Sequence, residues 1–525
     1  MKSIKMRGIC AAVTGALLFG FGANAMADAT TDAVKGLVDG GMLTPEAADV
    51  VNRGHDKDVA AVKAAPKSID FMNDDAPFKT NFSIGDHKGD FQFYGIVDIG
   101  AVTTNHSYPT NGQLPNQFYP YQAYSGAHTS SQSGWNQGGL QDSRFGFKGG
   151  IDLFHAADNN VKFIYQLEGG FNPLNGSLND AAKTLSQNPT SHNYTNTSAD
   201  SSLNGELFGR QAWGGLDAGK LGKLTFGLQY NPFYNIFGEY DPTNKADTFS
   251  PFGESGTIGG GGGVSEDSRM KNSIKYANGF DVAGGKLTGS AIYQFGNASG
   301  DMSKGYGLGL QAGYETDMFG VQVAYDKFED AIAATNGAIG NTNTSYGTIN
   351  AKAYNTEATL VALKFTPNKE WKFKGGWEWY ERQSPSDLNL NYGSLWGYTL
   401  ANSNVLSGFS SSTSATNTDA GNVSQAYNVL FVGAEYNFGE RFANLKDLTL
   451  AVGYYDTITE RKVTGGTASG SVGTINTWTA VLDYKLNKRF DVYAAGTNNY
   501  FSGSSYTSGN ARNQDAFGLG VRMKF

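Results

Sequence analysis

Over its last nine residues the chain changes chemical character at every step. Phe517, Leu519, Val521, Met523 and Phe525 alternate with Gly518, Gly520, Arg522 and Lys524. Successive side chains of an extended strand point to opposite faces, so one face here is apolar and the other is wet. The period recurs upstream. Trp371, Phe373, Trp377 and Trp379 alternate with Lys372, Lys374, Gly376 and Glu378. Trp478, Ala480, Leu482 and Tyr484 alternate with Thr479, Val481, Asp483 and Lys485, and Leu430, Val432, Ala434, Tyr436 and Phe438 share one face. Sixteen such strands are expected, at 90–104, 140–152, 161–172, 206–219, 223–231, 268–278, 286–298, 304–315, 320–329, 354–366, 371–382, 425–438, 447–461, 474–486, 490–502 and 512–525. Residues 78–84 read as an extra strand or a lead-in.

The connections alternate in length. Residues 219–222, 316–319, 367–370 and 487–489 are short turns; 105–139, 173–205, 232–267 and 383–424 are long and rich in Gly, Ser, Asn and Thr. Strands of about 9–11 tilted residues cross a bilayer. A strand edge left open in hydrocarbon costs several kcal/mol per unpaired backbone group, so such a sheet must close on itself. The fold class expected is all-β: a closed antiparallel transmembrane β-barrel of about 16 strands, with short periplasmic turns and long extracellular loops. At that size the barrel encloses an aqueous lumen.

The first residues agree with this destination. Lys2, Lys5 and Arg7 precede an apolar run from Ile9 to Ala23, and Ala25-Met26-Ala27 offers a small-residue cleavage site. Residues 1–27 therefore read as a secretory signal peptide. Cys10, the only cysteine, falls inside it, which leaves no disulfide or thiolate metal site beyond. Residues 28–77 lack the two-residue period. They read as a periplasmic tail of short helices and linker, ahead of a barrel domain at 78–525. Mean hydropathy is −0.37 although Phe and Tyr number 33 and 28, as expected of strands with one lipid face and one wet face. The formal charge of −8 becomes −11 once the three leader cations are set aside. No basic stripe or nucleic-acid motif is present, so nucleic acid is excluded as a partner.

Several segments resemble the general bacterial porins of proteobacteria. Phe93-Tyr94-Gly95-Ile96-Val97-Asp98 is similar to the family's opening strand, and Asp142-Ser143-Arg144-Phe145-Gly146-Phe147-Lys148-Gly149 to its second. Tyr165-Gln166-Leu167-Glu168-Gly169-Gly170-Phe171, Leu207-Phe208-Gly209-Arg210-Gln211-Ala212-Trp213-Gly214-Gly215-Leu216 and Lys271-Asn272-Ser273-Ile274-Lys275-Tyr276 resemble later family segments, and the terminal Phe525 matches the family's C-terminal signal. The resemblance covers roughly residues 91–525. It implies passive diffusion of ions and small hydrophilic solutes through a homotrimer in the cell outer membrane, among outer-membrane lipid and lipopolysaccharide. It implies no cofactor, and it implies that the third long loop, 232–267, folds into the lumen as a constriction. Leu228 stands where the family carries an arginine; alternation places it outward with Phe226 and Tyr230.

Alternation also selects pore-lining charges. With Phe145 and Phe147 outward, Arg144 and Lys148 face inward. With Met270, Ile274 and Tyr276 outward, Arg269, Lys271 and Lys275 face inward. Arg210 joins them by resemblance alone. Glu239, Asp241, Asp247 and Glu254 are the acids of the third loop. Basic walls facing loop carboxylates would set up a transverse field that selects ions. The basic cluster points to anions and the charge of −11 to cations. Screening cuts off exposed charges beyond about 8–10 Å, so the nearer cluster carries more weight and weak anion preference is expected.

Other functions fit less well. A substrate-specific channel for an anion or small organic solute is the nearest alternative. An outer-membrane hydrolase is remote. His55 is expected in the tail, His87 and His155 in short connections, and His106, His128 and His192 in outer loops, none beside a strand Ser or Asp that could complete a nucleophilic pair. The glycine run 259–263 lacks the Lys and helix of a phosphate loop. No enzyme activity and no metal site are expected.

Overall fold

The computed structural model describes residues 78–108, 130–156, 159–174, 176, 207–253, 268–296, 306–335, 348–383, 399–400, 423–463, 472–503 and 512–525. The chain divides into two units, 1–74 and 75–525. The expected leader and tail, Glu254 and the run 259–263 lie outside the described residues.

The strands are β1 Lys79–Ile84, β2 His87–Tyr108, β3 Ser130–Gln137, β4 Arg144–Ala156, β5 Asn159–Gly170, β6 Gln211–Asp217 and β7 Lys223–Tyr230. They continue with β8 Arg269–Val282, β9 Gly285–Gln294, β10 Gly307–Glu315, β11 Phe319–Thr335, β12 Thr348–Phe365 and β13 Trp371–Gln383. The remainder are β14 Thr399–Leu400, β15 Val423–Asn437, β16 Leu448–Val463, β17 Val472–Lys485, β18 Phe490–Gly503 and β19 Asn513–Lys524. Neighbours pair antiparallel around the ring, and β19 returns to β2 from Ala516↔Thr104 to Lys524↔Ile96. The result is a closed sixteen-stranded antiparallel barrel. β3 and β4 share the second wall position, each pairing with a different stretch of β2. β14 is a two-residue parallel contact on β12, and β1 is an additional strand on β2. His87 and His155 are strand-end residues of β2 and β4, not connections, because both hairpins run longer than their alternation shows.

Burial follows the alternation. On β19 Leu519 is 53 % exposed, whereas Arg522 is 7 % exposed and binds Asp491 and Asp483. Phe373, Trp377, Leu430, Val432, Trp478 and Leu482 all lie on the exposed outer face. Near the short turns Phe319, Phe365, Phe373, Trp371, Tyr436 and Phe438 form one unbroken row of ring contacts, 4.6–6.2 Å between centroids. This is the aromatic girdle that an outer-membrane barrel places at the bilayer interface.

Two departures from alternation change which side chains face inward. β7 and β8 slip register after Gly227, from Gly227↔Ser273 to Gln229↔Met270. Gly227 has φ +131, which a side chain tolerates poorly. The bulge turns Tyr230 inward to donate to Glu168 at 3.0 Å, and Met270 is fully buried against Ile292 and Phe328. Both read as outward from the sequence. The second departure is at 138–143, part of which reads as strand. There the chain leaves the wall and turns into the barrel. Its Leu140 and Gln141 amides donate to Asp98, whose other carboxylate oxygen accepts Tyr493 at 2.6 Å.

The described part of the third long connection lies against the inner wall. Asn231 caps helix α1, Pro232–Tyr240, by accepting the Tyr234 amide, and Pro232 occupies the first turn, where it suits a helix start. Phe233, Ile236, Phe237 and Tyr240 recur at helical spacing and bury against inward residues including Ala324, Leu360 and Ala362. Each such side chain contributes roughly 1.5–3 kcal/mol when buried. Beyond α1, Phe252 stacks on Phe237 at 3.9 Å, and Thr479 of β17 donates to the Phe249 carbonyl.

Candidate pore constriction

Of the residues named above, Arg144, Arg210, Arg269 and Asp247 meet where this loop faces β4–β8. Arg210 is fully buried. It donates to Asp142 at 2.7 Å, to Glu168 at 3.1 Å and to the Tyr234 hydroxyl at 2.9 Å. Arg144 lies 3.8 Å from the other Glu168 oxygen and donates to the Asp142 carbonyl. Tyr230 and Tyr234 stack with centroids 3.9 Å apart and planes 3° apart. Arg269 lies over both rings, at 5.2 and 6.0 Å, and Lys245 lies 3.8 Å from the Tyr234 ring centre. Four cations therefore surround one phenol. Burial alone would raise the Tyr234 hydroxyl, yet Lys245, Arg210, Arg144 and Arg269 bring it below its ordinary value.

The remaining basic candidates stand apart from this cluster. Lys275 is on β8 and donates to the Tyr230 carbonyl at 3.1 Å. Lys148 is exposed, with its ammonium 4.9 Å over the Tyr94 ring. Lys271 is an exposed residue of the β8 bulge.

The loop acids do less than their number suggests. Asp241 is buried and organises the turn after α1: it accepts the Thr243 and Lys245 amides, the Ser250 hydroxyl and the Tyr455 hydroxyl. Glu239 faces Lys364, which also binds Glu315. Asp247 is buried beside Asp142. Burial pushes the Asp247 carboxyl well above the usual carboxylate range, and the Asp142 charge adds to this. Burial would raise Asp142 as well, but Arg210 brings it down to about 2. Of these two hydrogen-bonded carboxyls, Asp247 is therefore the one that keeps its proton to the higher pH. Around Tyr234 four cations face two ionised carboxylates, Asp142 and Glu168. Alternation did not single out Asp142, Glu168, Tyr230, Tyr234 or Lys245. Glu168 and Asp142 do stand in segments of family resemblance, which is the signal that could have found them.

Among the described residues no group of three or more His, Cys, Asp or Glu is arranged to hold a metal ion. The model of the Gram-negative porins matches residues 59–504. The chain belongs to the Gram-negative porin family. This porin is 24 % identical over 447 residues to an outer membrane porin protein of Bordetella pertussis, covering 82 % of this chain and 93 % of that one. Among solved structures it is similar to an anion-selective porin from Comamonas acidovorans, with TM-score 0.48 and 14 % identity over 83 % of this chain and all of that one. It is also similar to the trimer form of OmpT from Vibrio cholerae, with TM-score 0.47 and 13 % identity over 83 % of this chain and 99 % of that one. The porin is an outer-membrane channel for passive diffusion, and its family relatives are channels rather than enzymes.

Proposed function

We propose that the constriction of this porin favours anions, and that small hydrophilic anions pass it faster than cations of equal size. The observation that carries this is the surplus of positive charge around Tyr234: Arg144, Arg210, Lys245 and Arg269 against Asp142 and Glu168. Asp247, pushed up by burial and by the Asp142 charge, opposes these cations less readily than a free carboxylate would. Charges this close to the path outweigh remote loop carboxylates, which salt screens beyond about 8–10 Å. The charged residues of the barrel face serve permeation, and no catalytic role is assigned to any of them. Family membership further supports a homotrimer of separate pores set in outer-membrane lipid and lipopolysaccharide. It fits export through a cleaved leader at 1–27, followed by a periplasmic tail at 28–77 and the barrel domain at 78–525.

The test is the zero-current potential across a potassium chloride gradient in planar bilayers. The native channel should show anion preference, and Arg269→Ala or Lys245→Ala should move the potential toward zero. A cation preference that both variants leave unchanged would overturn the assignment.

A further inference from the structure

Below the closed ring the barrel wall continues on one side as a tongue. Residues 87–95 of β2 lie between β1 and β4, and β19 reaches only to Gly95 through the Phe525 backbone. Residues 154–156 of β4 and 159–161 of β5 pair only with each other. The four-stranded tongue β1-β2-β4-β5 therefore projects beyond the rim at the end that carries the short turns, the periplasmic end.

Its two faces differ. Phe82, Ile84, Phe91 and Phe93 lie on the outer side. The inner side continues the row of Asp98 and Tyr94 and carries Lys79, Lys88, Lys162, Asp90 and Asp152 around a trough of about 590 Å³. Lys79 pairs with Asp90 at 3.3 Å and Lys162 with Asp152 at 3.2 Å. Lys88 is exposed and has no ion-pair partner among the described residues. An ammonium has three donors, so Lys79 and Lys162 keep donors free after one ion pair each. Lys148 and then Arg144 follow on the same face of β4, leading from the trough to the cations around Tyr234.

We propose that the inner face of the tongue is a docking site for small di- and tricarboxylate solutes at the periplasmic mouth. One carboxylate would meet Lys88 and a second would meet Lys79 or Lys162, which line the same concavity. Transit onward rests on the anion preference proposed for the constriction; docking does not.

The experiment uses the full porin in a planar bilayer, inserted from one chamber, with citrate added to one side at a time. Citrate should interrupt the current severalfold more often from the periplasmic side. Lys88→Glu should remove that excess, Lys88→Arg should keep it, and both should leave the zero-current potential in potassium chloride unaltered. Lys88 is exposed, so neither substitution disturbs packing. Equal interruption from the two sides, or undiminished interruption in Lys88→Glu, would overturn the proposal. A cation-preferring channel that still loses periplasmic citrate block in Lys88→Glu would sink the constriction assignment and leave the tongue site standing.

Discussion

Gly95 and Phe525 exchange both backbone hydrogen bonds, at 2.9 and 3.0 Å, so the last residue of the chain is the last rung of the closed ladder. The Phe525 ring lies where a Gly95 side chain would go, and contacts Phe93 at 5.3 Å and Phe78 at 6.2 Å. A Cβ on Gly95 would also fall 2.7 Å from the Arg144 carbonyl oxygen, which is backbone and cannot swing aside. Overpacking of this kind costs roughly 1–3 kcal/mol. Gly95→Val should therefore lower the yield of folded, heat-modifiable barrel on refolding into detergent. Phe525→Ala should lower it too, by loss of the ring contacts. Equal yields for all three proteins would remove this seam from the account of closure.

Asp247 gives a pH dependence of definite sign. Unfolded, it titrates as an ordinary carboxyl; folded, it keeps its proton to a higher pH. The stability this proton lends is complete below the ordinary carboxyl range and is lost as pH rises through the folded value. Asp142 behaves oppositely, stabilising above the ordinary range and losing that contribution as pH falls toward about 2. The loop tip rests on this pair together with two backbone bonds, Asp247 to the Leu140 carbonyl and Thr248 to the Gly139 carbonyl. Open-channel noise should grow on the alkaline side in the native porin. It should not grow in Asp247→Asn, whose amide donates without titrating. The same alkaline rise in both proteins would place the titrating group elsewhere.

Arg210 is a buried cation between two carboxylates; removing it takes from Asp142 its paired cation and leaves Glu168 with Arg144 alone, at 3.8 Å. Breaking a buried pair from one side costs roughly 3–5 kcal/mol. Arg210→Ala should lower the thermal midpoint of the folded barrel well below that of Lys245→Ala, whose ammonium sits only partly buried over a ring. Similar midpoints for the two variants would contradict the structural role of Arg210.

The barrel was legible because one rule, two faces per strand, repeats along some 450 residues. The inward set was less so, because a single bulge reverses every side chain beyond it. The slip at Gly227 put Tyr230 and Met270 on the wrong side, although nothing in the run Gly227-Leu228-Gln229-Tyr230 interrupts the strand pattern. The turn at 138–143 was hidden for a similar reason: Asp142 adjoins a strand that begins at Arg144. The upward push on the Asp247 carboxyl comes from burial and then from Asp142, more than a hundred positions away, and only the folded barrel brings these about.

The positive field around Tyr234 can be read with a charged thiol reagent. Cys10 is the only cysteine, so Asn235→Cys in a Cys10→Ser background places one thiol on the exposed neighbour of Tyr234. Anionic and cationic methanethiosulfonates of similar size are compared, each relative to its rate with a free thiol. Severalfold faster modification by the anionic reagent, with the difference shrinking in Arg269→Ala, is the expected result. Faster modification by the cationic reagent would contradict a constriction that favours anions.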